Sequence, residues 1–185
     1  MKKYIFAVML AMLSITAVQA QRMMPKQKGL EINGGLLSKD VKDNYYLNLT
    51  LTVNGKNGSY WIWGAEYTHQ FSEYRNLQIP LETYTGEMGY SLQLLGDARK
   101  TFTLNAGFTG VAGYETINRS EATLYDGSKI LDKDNFIYGA GGRLSLETYL
   151  SDRFVLLLQG RTKVLWGTDL KQFRPSAGVG LRFNF

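Results

Sequence analysis

With 185 residues carrying 21 Lys and Arg against 16 Asp and Glu, the chain has a formal charge of +5, not gathered into any run that would mark a nucleic-acid binder. It has no Cys, which excludes disulfides, thiolate metal sites and a lipid-anchoring cysteine. A mean hydropathy of −0.20 with 20 Gly and 13% aromatics is too polar for a helical membrane protein, yet suits strands of which one face alone is apolar.

The N-terminus opens on Lys2 and Lys3, followed by an uncharged apolar stretch from Tyr4 to Val18 and the small-residue pattern Val18-Gln19-Ala20. This predicts a secretory signal peptide over residues 1–20, cleaved before Gln21. Its removal takes away two lysines and no acid, so the basic balance of the mature chain is smaller. Residues 21–28, with Arg22, Lys26 and Lys28 around Pro25, read as a short basic periplasmic arm, expected as a disordered leader. Residues 29–185 then form one domain without a linker.

Period-two alternation predicts about eight strands. They fall near Gly29–Leu37, Tyr45–Val53, Ser59–Gln70, Leu81–Leu95, Thr101–Tyr114, Phe136–Leu150, Arg153–Leu165 and Pro175–Phe185. Asn54–Gly58, Gly96–Lys100 and Ser151-Asp152 carry hairpin-turn chemistry. Between them lie the longer links Ser38–Asn44, Phe71–Pro80, Glu115–Asn135 and Trp166–Arg174. Short and long links alternate, as in outer-membrane barrels with short periplasmic turns and long outer loops. The Glu115–Asn135 link mixes charges with Ile117, Leu124, Tyr125, Ile130 and Leu131 and is the main candidate for a recognition loop.

One parity collects Leu30, Ile32, Leu47, Leu49, Leu51, Trp63, Met88, Phe108, Leu144, Leu146, Leu156 and Leu158 without a charge inside the proposed membrane band. Trp61, Phe102, Phe154 and Phe183 at one end, and Tyr45, Tyr67, Tyr84, Tyr114 and Trp166 at the other, have the placement of interfacial girdles. Parity alone also admits the inverted solution, a soluble sandwich or lipocalin-like barrel with this face inside. The alternating links and an aromatic final strand ending in Phe183 and Phe185 favour the outer membrane, with lipid as a contact.

The opposite parity holds Glu31, Glu66, Glu87 and Glu147 together with Arg143, Arg161, Lys163 and Arg182. A barrel of about eight strands has an interior that side chains just fill. Buried charges must be paired, so these residues read as a structural ion network and not as a pore or proton path. Pairing between neighbouring strands, Arg143 and Glu147 against Arg161 and Lys163, is geometrically natural, and one of Glu66, Glu87 or Glu147 is expected to depend on Arg161.

No catalytic residue, cofactor site or metal site is predicted, and neither a small-molecule substrate nor direct nucleic-acid binding is expected. His69, the single His, has the parity of the lipid or interfacial side. A lipid-modifying enzyme would need a partner for it, and no Ser lies at a matching inward position.

Gln21–Glu31, the Lys100–Gly113 strand and the closing Gly178-Val-Gly-Leu-Arg-Phe-Asn-Phe185 resemble the TraO proteins of Bacteroides-type conjugative transposons. The resemblance covers the mature chain and implies a place in a mating apparatus related to type IV secretion, with other apparatus proteins as partners. It carries no catalytic motif. The expectation is therefore a small, closed, antiparallel up-and-down barrel acting by protein contacts and not as an enzyme. A general small barrel, adhesive or membrane-stabilising, is the alternative, followed by a lipid-modifying enzyme.

Overall fold

A computed structural model describes residues 24–37, 44–74, 77–97, 101–117, 134–168 and 171–185. The predicted signal peptide and most of the Glu115–Asn135 link lie outside them. The strands are β1 (Lys28–Leu37), β2 (Tyr45–Asn54), β3 (Tyr60–Tyr74), β4 (Leu77–Gly96), β5 (Phe102–Ile117), β6 (Asp134–Tyr149), β7 (Phe154–Trp166) and β8 (Phe173–Asn184). Each pairs antiparallel with its sequence neighbours, and β8 closes on β1, giving an eight-stranded up-and-down barrel.

Alternation decides which way each residue points. Along β2 every second side chain, Tyr46, Asn48, Thr50 and Thr52, is buried, while Leu47, Leu49 and Leu51 are exposed. The exposed side is apolar through the middle of the barrel: Ile32 is 63% accessible and Phe108 68%, whereas Glu31 and Glu147 are fully buried. This inversion of the usual soluble arrangement is what a lipid-facing exterior requires, because a basic residue at the bilayer midplane costs about 2–4 kcal/mol. The soluble alternative, with the Leu/Trp/Tyr face inside, is overturned.

Aromatic rings band both ends of the apolar exterior. Phe154 and Phe183 lie 5.2 Å apart, and Trp61 meets Tyr90 at 4.9 Å, on the side of the short turns. Tyr67 and Tyr84 lie 5.2 Å apart, and Tyr138 and Trp166 6.1 Å, on the other side. The β2–β3 turn is closed by Asn57 and Gly58, whose φ angles of 55° and 74° explain why Asn and Gly stand there.

Two expectations need correction. Phe71–Pro80 is not a long link: β3 and β4 stay paired through Tyr74 and Leu77, so residues 75–76 alone separate them. Pro80 has the look of a chain breaker, yet it sits in β4 opposite Phe71. The arm is not free either, as far as it is described. Lys26 donates its backbone N–H to Asn54, Asn54 donates to Gln27, and Lys28 and Phe185 exchange backbone hydrogen bonds.

Candidate functional site: the charged interior

Three groups of ion pairs fill the barrel. Nearest the short turns, Arg182 of β8 lies between two acids. Its Nε donates to Glu31 Oε1 at 2.7 Å, and its Nη1 and Nη2 donate to Glu147 at 2.8 and 3.0 Å. Arg143 reaches the other Glu31 oxygen at 3.4 Å and donates to the Tyr60 hydroxyl at 3.0 Å. That hydroxyl in turn donates to Glu147 at 2.5 Å, and both guanidinium groups lie against the Tyr60 ring. The fork of Arg, with five donors and no acceptor, is the side chain best suited to hold two carboxylates at once.

Further along the barrel, Arg161 of β7 bridges Glu66 of β3 at 2.5 Å and Glu87 of β4 at 2.8 Å. Lys163 contacts the same two acids at 2.6 and 2.5 Å and donates to Thr85 at 3.1 Å. The third group was not foreseen. Glu115 and Arg174, both assigned to links by the sequence, point inward and pair at 2.6 Å, with Thr168 donating to Glu115 at 2.7 Å. Their parity gave a usable signal: Glu115 continues the inward set of Val111 and Gly113, and Arg174 that of Ser176 and Gly178.

All eight predicted interior charges are buried and paired, but not in the expected manner. Register sets Arg143 against Arg161, Lys163 against Gly141 and Glu147 against Leu157, so neighbouring β6 and β7 place no acid beside a base. Glu31 and Arg182 are the exception, register partners on neighbouring β1 and β8. The other partners come from across the lumen, β7 to β3 and β4, and β6 to β1 and β8. A closed barrel folds distant strands onto one axis, and long Arg side chains reach over it.

A neutral ladder joins the first two groups along one wall. Asn33 Nδ2 donates to Glu31 at 3.4 Å and to Asn48 Oδ1 at 3.3 Å, and Asn48 Nδ2 donates to Glu66 at 3.5 Å. Inward glycines make room for these side chains. A Cβ on Gly107 would lie 2.9 Å from Arg143 Cγ, so any larger residue there would push the guanidinium off its partners.

His69 lies on the outside, its ring 5.4 Å from Tyr45 and 5.0 Å from Phe71, with Tyr45 and Glu82 as register neighbours. This setting is aromatic and interfacial, and among the described side chains no serine contacts His69. Nearby, Tyr84 donates to Glu82 at 3.2 Å.

A family model described as conjugative transposon protein TraO matches residues 24–185. The chain belongs to the TraO family. No curated protein matches its sequence. Among solved structures, Neisserial surface protein A superposes with a TM-score of 0.59 at 11% identity, covering 86% of this chain and 95% of that one. Ail, the attachment invasion locus protein of Yersinia pestis, gives 0.57 at 13% identity, covering 88% and 100%. The N-terminal barrel domain of Pseudomonas aeruginosa OprF gives 0.52 at 11%, covering 87% and 98%. These likenesses concern the fold, that of small outer-membrane barrels.

Proposed function

We propose that this TraO protein is an exported, non-catalytic outer-membrane subunit of a conjugative transfer apparatus and works through contacts with other apparatus proteins. The observation that carries this reading is the interior: three interlocked ion-pair groups occupy it from Arg182 to Arg174. A lumen filled by its own side chains offers no passage to a DNA strand. Any contribution to transfer therefore comes from the surfaces that the barrel holds in the membrane.

Two surfaces are available for such contacts. One is the periplasmic rim, where exposed Lys26, Lys28, Lys56 and Arg153 accompany Asp97 and Asp152. The hydrogen bonds of Lys26 and Gln27 to Asn54 hold the end of the arm against this rim. The other is the outer link between β5 and β6, whose residues 118–133 are not among those described.

The test is mating from donors lacking the gene and complemented by variants. Transfer falls without the gene and returns with the wild-type chain. Reversal of Arg22, Lys26 and Lys28 to Glu, or deletion of residues 118–133, lowers transfer while the barrel still assembles, according to which surface makes the contact. Normal mating without the gene overturns the conjugative role and leaves a general small barrel. Reconstituted protein gives no large steady conductance in planar bilayers; a large stable one would refute the filled lumen.

A further inference from the structure

The interior wall of β5, β6 and β7 carries a belt of polar side chains that the protein itself leaves open. Asn105, Ser145 and Gln159 are consecutive register partners across these strands, and all three are at least 98% buried. Asn105 Oδ1, Ser145 Oγ and both polar atoms of Gln159 have no hydrogen-bond partner among the described residues. Exchanging the oxygen and nitrogen of Gln159 changes nothing, since both are open. Two further buried atoms without a direct hydrogen bond among the described residues come from the facing strands, one of them on Tyr46, whose ring lies 5.1 Å from the Arg161 guanidinium. The Tyr46 hydroxyl lies 2.4 Å from where a Cβ on Gly178 would stand, and Asn33 Oδ1 lies 1.7 Å from the corresponding point on Gly180. Gly178 is the register partner of Gln159, so the Tyr46 hydroxyl sits about one strand spacing, ~5 Å, from the β7 backbone at Gln159.

We propose that this belt is a built hydration site, where buried water joins Asn105, Ser145 and Gln159 to Tyr46 and Asn33 across the barrel. The chemistry selects water over an ion. The belt offers both donors and acceptors and carries no charge; Arg143 Nε, an open donor beside it, belongs to a guanidinium already paired with Glu31, and the adjacent acids and bases neutralise one another. An ion would lose its hydration shell there without gaining a counter-charge. Water accepts and donates at once and is held where two to four polar groups converge. Tyr46 also lines a separate cavity of ≈ 20 Å³ with Glu66, Thr83, Thr85, Lys163 and Arg174, which the three belt side chains do not reach and which has room for a single water between the second and third ion-pair groups.

The sign of a stability change tests this. Gln159→Met and Tyr46→Phe keep shape and remove polar atoms. If these atoms are hydrated, each variant melts below wild type in detergent micelles; if they are orphaned, each melts above it, because an unsatisfied buried group has been removed. Wild-type protein supplies a reading that does not depend on variant folding. Water-to-amide nuclear Overhauser transfer to the Gln159 side-chain NH₂ is expected, from water held longer than at the surface. Its absence, or a rise in melting temperature for both variants, overturns the proposal. So does a melting temperature that responds to sodium, potassium or chloride at constant ionic strength, which would mark an ion site.

Discussion

The wall of β1–β3 and the wall of β5–β7 each carry a row of neutral polar side chains facing the lumen, and they treat them differently. On the first, Asn33, Asn48 and Glu66 are consecutive register partners joined by hydrogen bonds, with Thr50 also donating to Asn48 at 2.6 Å. The ladder runs from one carboxylate, Glu31, to another, Glu66. On the second, Asn105, Ser145 and Gln159 occupy the same relation, yet make no such bonds to one another. Register adjacency is therefore not sufficient. A ladder needs side chains long enough to meet and a charged terminus that polarises it. Ser145 is short, and beyond Gln159 the next strand offers Gly178.

The largest effect is expected where the two walls are tied together. Arg182→Met leaves Glu31 and Glu147 buried with a single base, Arg143, nearby. Loss of stability at or above the upper end of the 3–5 kcal/mol for a broken buried pair follows, visible as failure to form the heat-modifiable folded band on gels. Arg161→Met has a smaller effect, nearer about 3 kcal/mol, because Lys163 stays in contact with both Glu66 and Glu87. Urea unfolding followed by the fluorescence of Trp61, Trp63 and Trp166 measures the difference.

The two walls are compared directly by Asn48→Leu and Asn105→Leu. The first breaks a closed ladder, leaving Asn33 with Glu31 alone in that ladder and taking the Asn48 contact from Thr50 and Glu66, at a cost of about 1–3 kcal/mol. The second removes a side chain whose amide, among the described residues, donates to Thr103 at 3.2 Å, and it should cost less, the remainder being the water held at Asn105 Oδ1. Equal losses would erase the distinction between the walls. The smallest effect belongs to the exterior: Glu82→Gln alters an exposed contact with Tyr84, and a shift within about 0.5 kcal/mol is expected.

Much of this was legible in the sequence because lipid imposes strict parity. The eight strands, the apolar exterior, and the inward placement of Glu31, Glu66, Glu87, Glu147, Arg143, Arg161, Lys163 and Arg182 all follow from counting by twos. Parity does not reveal which residues face each other across the lumen. That depends on strand tilt and stagger, which the pairing of the whole closed sheet sets. Hence parity offers Arg161 the acids Glu66, Glu87 and Glu147 without choosing among them, and its partners are the distant Glu66 and Glu87, not Glu147 of neighbouring β6. Counting also loses its force beyond the membrane, where no lipid enforces one apolar face. The β3–β4 extension is hidden for that reason; Glu115 and Arg174 keep the inward parity of their strands, but the turn-like composition of the segments beside them masks it. Near Gln93 and Leu95 the register shifts by a bulge, and Leu94 and Leu95 are both exposed, so simple alternation fails there too.

The pairing of β1 with β8 has a consequence for biogenesis. The first strand finds its second neighbour only when the eighth arrives, with Gly29 opposite Asn184 and Leu37 opposite Ser176. Until then one side of β1 presents bare N–H and C=O groups, a template for pairing with any extended chain it meets. Closing a loop of this length is also the slowest kind of contact to form. Folding in the periplasm would therefore expose a reactive seam for the whole waiting period. The hazard ends when β8 reaches β1 and the nine register pairs of this seam cover the open edge.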